Sequence, residues 1–414
     1  MKKISVRGGY RLHGQVRVQG SKNSVLPILA ASVLTADDVM LENCPHILDV
    51  ETMVEILRAQ GCQVMIDGSQ IRVRANAMDT VRIPADLVHK MRSSIILMGA
   101  VLARMGEVFI SYPGGCSIGN RPINYHLKAL RRLGYSVEEE HGEIRCSGKA
   151  KGGVINLDFP SVGATENIML AAVFAQGTVY ICNAAKEPEI VDLANMLVAM
   201  GARVSGAGTD IITIQGVSQL HGVRYSVIPD RIVAGTYLIA AAATGGSIEL
   251  TNVRTGDLVA LLEKLKEMNC TVLDCGTEVS LIAPASLMPT DIQTLPHPGF
   301  PTDLQAPLMA MMTQAEGTSI VRETIFEARY KHVPELIRMG ADIAVEGQIA
   351  VVRGRTPLKG ANVSAMDLRG GAALVLAGLC AEGETLICQP EHIERGYEHI
   401  IEDLRSLGAQ IDEG

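Results

Sequence analysis

Tryptophan is absent and aromatic residues make up only 3% of the 414-residue chain, so its core is built from aliphatic and small side chains. No C-x-x-C pair occurs: nine cysteines are scattered, Cys270 and Cys275 are the closest two, and no histidine cluster accompanies them. That excludes a zinc site and a disulfide framework, and it points to a reducing cytosol. A basic excess is missing too, with a net charge of −8, which excludes a general nucleic-acid binder. No apolar run reaches the ~18 residues of a membrane span, and the segment MKKISVRG at the N-terminus breaks up with charge too soon for a signal peptide. Hydrophobic residues at 47% against 20% charged exclude a disordered chain. What is left is a folded cytoplasmic protein, long enough for two or three domains.

What the chain does contain is a period. A leucine, three residues, Gly or Asn, two more residues and Val or Ile recur as LRAQGCQV, LRRLGYSV, LVAMGARV, LKEMNCTV, LIRMGADI and LRSLGAQI. The turn residues are Gly61, Gly134, Gly201, Asn269, Gly340 and Gly408, about 70 residues apart. Each copy reads as an amphipathic helix ended by a left-handed cap, which Gly and Asn tolerate, followed by a strand. At the same interval lie six stretches that are apolar on nearly every face: 24–34, 93–104, 167–175, 232–243, 304–312 and 370–380. A helix without a polar face is buried, so sheets are expected outside these helices. Six units divide most simply into two groups of three, with Pro229-Asp230 as a hinge; strands within residues 4–18 could pair with either half.

The residues opening the apolar helices are Lys22, Arg92, Thr165-Glu166, Arg231, Asp303 and Arg369. Four of the six are cations, the wrong sign for a helix N-terminus. A phosphorylated ligand lying among them would explain this, because free N–H groups with Lys and Arg make an anion site; snorkelling or salt-bridged side chains are the alternative. Arg121, Arg329 and Arg395 stand in turn-like contexts. The loop from Tyr112 to Pro122, YPGGCSIGNRP, can form neither helix nor regular strand. Its thiol, Cys116, and its guanidinium, Arg121, suggest a lid over an anionic substrate, against an incidental surface cysteine. Asp303 follows the rigid turn PGFPT and is either an N-cap or a proton acceptor. The other eight cysteines read as small core residues, and His126 as a surface or capping residue.

The motifs GSKNS from Gly20, PGGC-x-x-G-x-RP around Cys116, PSVGAT from Pro160, Pro229-Asp230-Arg231, PGFPTD ending at Asp303 and Asp367-Leu-Arg369-Gly-Gly together resemble the enolpyruvyl transferases over essentially the whole chain. The resemblance implies an α/β fold of two inside-out α/β barrel domains, each of three pseudo-repeated units around buried central helices. It also implies a first domain over 21–229 carrying the Cys116 loop, a second over 1–20 and 230–414, and an active site in the cleft between. Phosphoenolpyruvate and UDP-N-acetylglucosamine are the implied substrates, with no cofactor and no metal, in peptidoglycan synthesis. Lys22, Asn23, Arg121, Arg369 and Arg395 then look like the phosphoenolpyruvate cradle. Arg92, Arg121, Pro122, Ile123, Asn124, Tyr125, Ser161, Val162, Gly163, Asp303 and Ile325 look like the UDP-sugar side, with Arg231 and Arg329 as further substrate contacts. Cys116 is the implied acid, alkylated by fosfomycin, and Asp303 the implied base, with Lys22, Asp367 and Arg395 also catalytic. Asn124-Tyr125 and Phe159 depart from the common pattern of the family on the nucleotide side. A shikimate-pathway enolpyruvyl transferase and a silent UDP-sugar-binding paralogue are the rival readings.

Overall fold

The computed structural model describes residues 2–114 and 123–414; Cys116, Arg121 and Pro122 lie outside the described residues. All six repeat turns adopt the left-handed conformation the pattern requires, with φ from +68° at Asn269 to +102° at Gly340. Each ends a half-buried outer helix, such as Leu48–Ala59 or Pro188–Ala199, and each is followed by a strand, such as Gln63–Asp67 or Asp342–Glu346.

The apolar stretches form six central helices: α1 (Lys22–Ala31), α2 (Leu97–Met105), α3 (Val162–Ala172), α4 (Arg231–Ala243), α5 (Gln305–Met312) and α6 (Leu368–Cys380). Their burial is nearly complete; in α4 every residue from Ile232 to Ala242 is buried. Strands beside them alternate, as in Asp38–Glu42 and Ser247–Thr251, where every second residue is buried. The sheets are therefore the outer layer and the helices the inner one.

Among the described residues the chain divides into two units, one of residues 20–114 and 123–228, the other of residues 2–19 and Pro229–Gly414. Each unit contains three central helices and three sheets. Five of the six sheets have four strands. In each of these, three antiparallel strands gain a parallel edge strand, as Val223–Ser226 pairs with Asp38–Glu42. The N-terminal strands both pair inside the second unit. Lys3–Arg7 lies between Glu384–Cys388 and Gln410–Glu413, and His13–Arg17 runs parallel to Ser247–Thr251. No helix among the described residues is long and apolar enough to cross a membrane.

Small residues set how closely the central helices approach. The Gly99 N–H on α2 donates to Asn167 Oδ1 on α3 at 2.6 Å. A Cβ at Gly99 would stand 2.3 Å from the Asn167 carbonyl oxygen and 2.4 Å from Oδ1. Gly99→Ala is therefore expected to destabilise the protein by about 3 kcal/mol, through overpacking and the lost hydrogen bond. A urea midpoint unchanged from wild type would show that the two helices can separate without cost.

Candidate active site

In the first unit Lys22 is the first residue of α1 and is buried, with its ammonium 2.7 Å from Asp49 Oδ2. Asn23 follows it, half-buried. Arg92 opens a 3-10 turn, Arg92–Ile96, that runs into α2. Thr165 and Glu166 do not open their helix, contrary to the sequence reading. Ser161 caps α3, its Oγ accepting from the Ala164 N–H, so Val162 and Gly163 form the first turn. Glu166 lies buried one turn in; burial, then Glu189 and Glu187, push its carboxyl well above the ordinary range.

His126 is not at the surface. It is 7% exposed, and Asn167 Nδ2 donates to its Nδ1 at 2.8 Å, which leaves the ring proton on Nε2. Burial and the neighbouring Arg92 lower its pKa to about 4. Ile123 precedes the helix Asn124–Arg132; Asn124 is exposed, and Tyr125 packs on the core. An open cavity of about 330 Å³ is lined by Asn124, Tyr125, Lys128 and Asp158 among others, with Lys128 Nζ 2.6 Å from Asp158 Oδ2. Phe159 is next in the chain, 37% exposed.

The second unit gathers the charged residues most tightly. Asp303 sits in a 3-10 turn, Thr302–Leu304, ahead of α5, and it is not an N-cap. Its Oδ1 accepts from Arg329 Nη2 at 2.7 Å, and its Oδ2 from Arg369 Nε at 3.2 Å and Nη2 at 3.0 Å. Both arginine side chains are 3% exposed, against 25% for Asp303. Burial opposes the charge on Arg369, but Asp303, Tyr397 and Asp230 outweigh it and hold the guanidinium above its ordinary pKa. Its plane also lies 5.4 Å from the Tyr397 ring.

Aspartate caps explain why arginines are tolerated at these helix heads. Asp230 accepts from the Ile232 and Val233 N–H groups ahead of Arg231, and Asp367 Oδ1 from those of Arg369 and Gly370. Arg395 follows the short helix Glu391–Glu394, half-buried. Ile325 is positioned by Glu323, which sequence reasoning missed. This fully buried carboxylate accepts from the Ile325 and Phe326 N–H groups and from the hydroxyls of Thr294 and Thr302, tying the Asp303 turn to Ile325. His332 and Tyr397 were missed as well, because nothing local distinguishes them from core residues. Of the other eight cysteines, Cys275 is exposed and so is not a core residue. Burial raises the Cys62 thiol to about 11 and those of Cys146, Cys270 and Cys380 to about 12, so none of these four is a thiolate at neutral pH.

A half-buried carboxylate between two buried arginines, on a frame of helices enclosed by sheets, is an arrangement suited to binding anionic groups. The family described as EPSP synthase (3-phosphoshikimate 1-carboxyvinyltransferase) matches residues 6–404, and the chain belongs to this family of enolpyruvyl transferases. It is 52% identical over 413 residues, 99% of each chain, to UDP-N-acetylglucosamine 1-carboxyvinyltransferase 2 of Caldanaerobacter subterraneus subsp. tengcongensis. It is 50% identical over 414 residues, again 99% of each, to the UDP-N-acetylglucosamine 1-carboxyvinyltransferase of Magnetococcus marinus. Among solved structures, the enolpyruvyl transferase NikO from Streptomyces tendae matches with a TM-score of 0.91 at 28% identity, over 100% of this chain and 98% of that one. EPSP synthase from Acinetobacter baumannii shares the fold, with a TM-score of 0.75 at 19% identity over 100% and 99% of the two chains. The architecture is thus the inside-out α/β enolpyruvyl transferase fold, with sheets outside its central helices.

Proposed function

We propose that this chain transfers the enolpyruvyl group of phosphoenolpyruvate to the 3′-hydroxyl of UDP-N-acetylglucosamine with release of phosphate, the first committed step of peptidoglycan synthesis, in the cytoplasm. The observation that carries this reading is the Asp303 clamp. Both carboxylate oxygens are held by arginines, yet the side chain is a quarter exposed and can receive a hydroxyl proton. Arg369 Nη1 is buried and makes no hydrogen bond of normal geometry, with the Tyr397 side chain beside it, which leaves a donor for a substrate anion. Identity of about half to full-length relatives bearing that name supports the choice of acceptor.

In the reaction, the sugar oxygen bonds to C2 of phosphoenolpyruvate as Asp303 takes its proton, and C3 gains a proton from Cys116. Loss of a proton from C3 then expels phosphate and restores the double bond. Lys22, Asn23, Arg121, Arg369 and Arg395 stabilise the phosphate and carboxylate charges. Arg92, Pro122, Ile123, Asn124, Tyr125, Ser161, Val162, Gly163, Arg231, Ile325 and Arg329 orient the UDP-sugar, and Asp367 fixes the head of the helix that carries Arg369.

Phosphate release coupled to each acceptor tests the reading. Release with UDP-N-acetylglucosamine and none with shikimate 3-phosphate is the expected result. Release with the shikimate ester alone, or with neither, overturns it. Cys116→Ser is expected to lower the rate at neutral pH by about 10²-fold, the loss of a general acid. Cys116→Asp keeps activity and escapes fosfomycin, since no thiol remains to be alkylated; an Asp variant still inhibited by fosfomycin would contradict the assignment of that thiol.

A further inference from the structure

Arg329 of the Asp303 clamp and Asp367 at the head of α6 each carry a polar atom with no hydrogen bond of its own, and with them stands His332, to which the proposed reaction assigns no role. His332 is 1% exposed, and neither ring nitrogen has a hydrogen-bond partner in the described structure. The same is true of Arg329 Nε and of Asp367 Oδ2. Leaving such groups unpaired in a buried site costs about 1–3 kcal/mol each, so four orphaned atoms in one place call for a common explanation. They are also neighbours. Arg329 and His332 belong to one turn, three residues apart, just before the helix Val333–Arg338. A Cβ on Gly370 would stand 3.0 Å from Asp367 Oδ2 and 3.2 Å from His332 Cβ, so both side chains crowd against the same face of Gly370.

The inventory of donors and acceptors closes. Arg329 Nε–H can only donate, Asp367 Oδ2 can only accept, and a neutral imidazole supplies one acceptor and one donor. We propose that His332 is a positioning residue: in the working enzyme it accepts from Arg329 Nε and donates to Asp367 Oδ2, directly or through one water, and so joins the two arginines that grip Asp303. The link runs from the Arg329 turn, through the ring, to the cap of α6, whose next turn carries Arg369. It fixes the tautomer of the ring and the angle at which the two guanidiniums meet the carboxylate.

The surroundings agree. Burial and the Arg329 guanidinium hold His332 neutral down to about 4, with Asp367 and the nearby backbone carbonyl of Arg329 pulling the other way. Glu335, the nearest acid on its own helix, is occupied by the Ser364 N–H at 3.1 Å and Arg338 at 3.3 Å. A protonated ring would present a second donor to Arg329 and break the chain of hydrogen bonds.

This inference rests on the proposed role of Asp303, so its test includes a measurement independent of turnover. In the full-length protein with 15N-labelled histidine at neutral pH, His332 should show one locked neutral tautomer with a protected N–H; its signals are identified by their loss in His332→Gln. Shifts averaged between tautomers would overturn the proposal. In steady-state assays, His332→Leu should lower kcat by about 10- to 100-fold, as small misplacements of reacting groups do. Its KM for UDP-N-acetylglucosamine should stay within about twofold, and His332→Gln, which keeps one donor and one acceptor, should recover much of the rate. A folded His332→Leu enzyme with wild-type kcat, or a Gln variant no better than Leu, would sink it. If instead Asp303→Asn is fully active while the tautomer is locked, the reading of Asp303 as the proton acceptor fails and the His332 link stands.

Discussion

Asp303→Asn is expected to lower enolpyruvyl transfer by about 10³-fold or more, since it removes a proton acceptor from a site where only a positioned base can serve. The same change costs stability. One carboxylate neutralises two guanidiniums that are each 3% exposed, and taking away one partner of a buried ion pair costs about 3–5 kcal/mol. Asp303 itself is partly hydrated, which places the loss near the lower end. The two charges left behind then become a site for any small anion. Millimolar phosphate should raise the melting temperature of the Asn variant more than that of wild type, by binding only the folded state. A variant as stable as wild type and indifferent to phosphate would mean that the guanidiniums are compensated by other groups.

Acid should unfold the protein through its two buried histidines. His126 and His332 each have a folded pKa of about 4, against about 6.5 when unfolded. Below 6.5 the unfolded chain therefore binds more protons than the native one. Stability is lost as the pH falls from 6.5, and the loss is complete near 4. A shift of that size amounts to about 3 kcal/mol for each ring, a large part of the 5–15 kcal/mol that stabilises a typical domain. The two rings sit in different units, so both units are acid-sensitive. Glu166 in the unit of His126 and Asp403 in the unit of His332 act in the opposite direction, because a raised carboxyl pKa favours the folded state as the pH falls. Urea unfolding at pH 7.5, 6 and 4.5 checks this, and His126→Asn should flatten the dependence of its own unit. Equal stability at pH 7.5 and 4.5 would show that both rings take up their protons without unfolding.

The periodic frame was legible because its causes are short-range. A residue that must adopt positive φ after a helix has to be Gly or Asn, and all six positions read that way do so. A helix apolar on every face has nowhere to go but inside, and six such stretches became the six central helices. The start of α3 was misread because its apolar run begins after the capping Ser161. Cys275 was misread because it was grouped with cysteines in apolar strands, although Asp274 and Gly276 flank it and place it in an exposed turn.

The site was legible as a set of residue types and not as an arrangement. Asp303 reads locally as a cap, and its actual partners are Arg329 and Arg369, 26 and 66 residues away. His126 reads as a surface residue because its burial depends on Asn167, 41 residues downstream. Backbone sterics and the side-chain period thus determined, from sequence alone, where the helices, turns and strands of this protein lie. Which charge meets which, and which polar atoms are left for a ligand, was decided only when distant segments packed, because desolvation and Coulomb energy depend on distance in space and not on position in the chain.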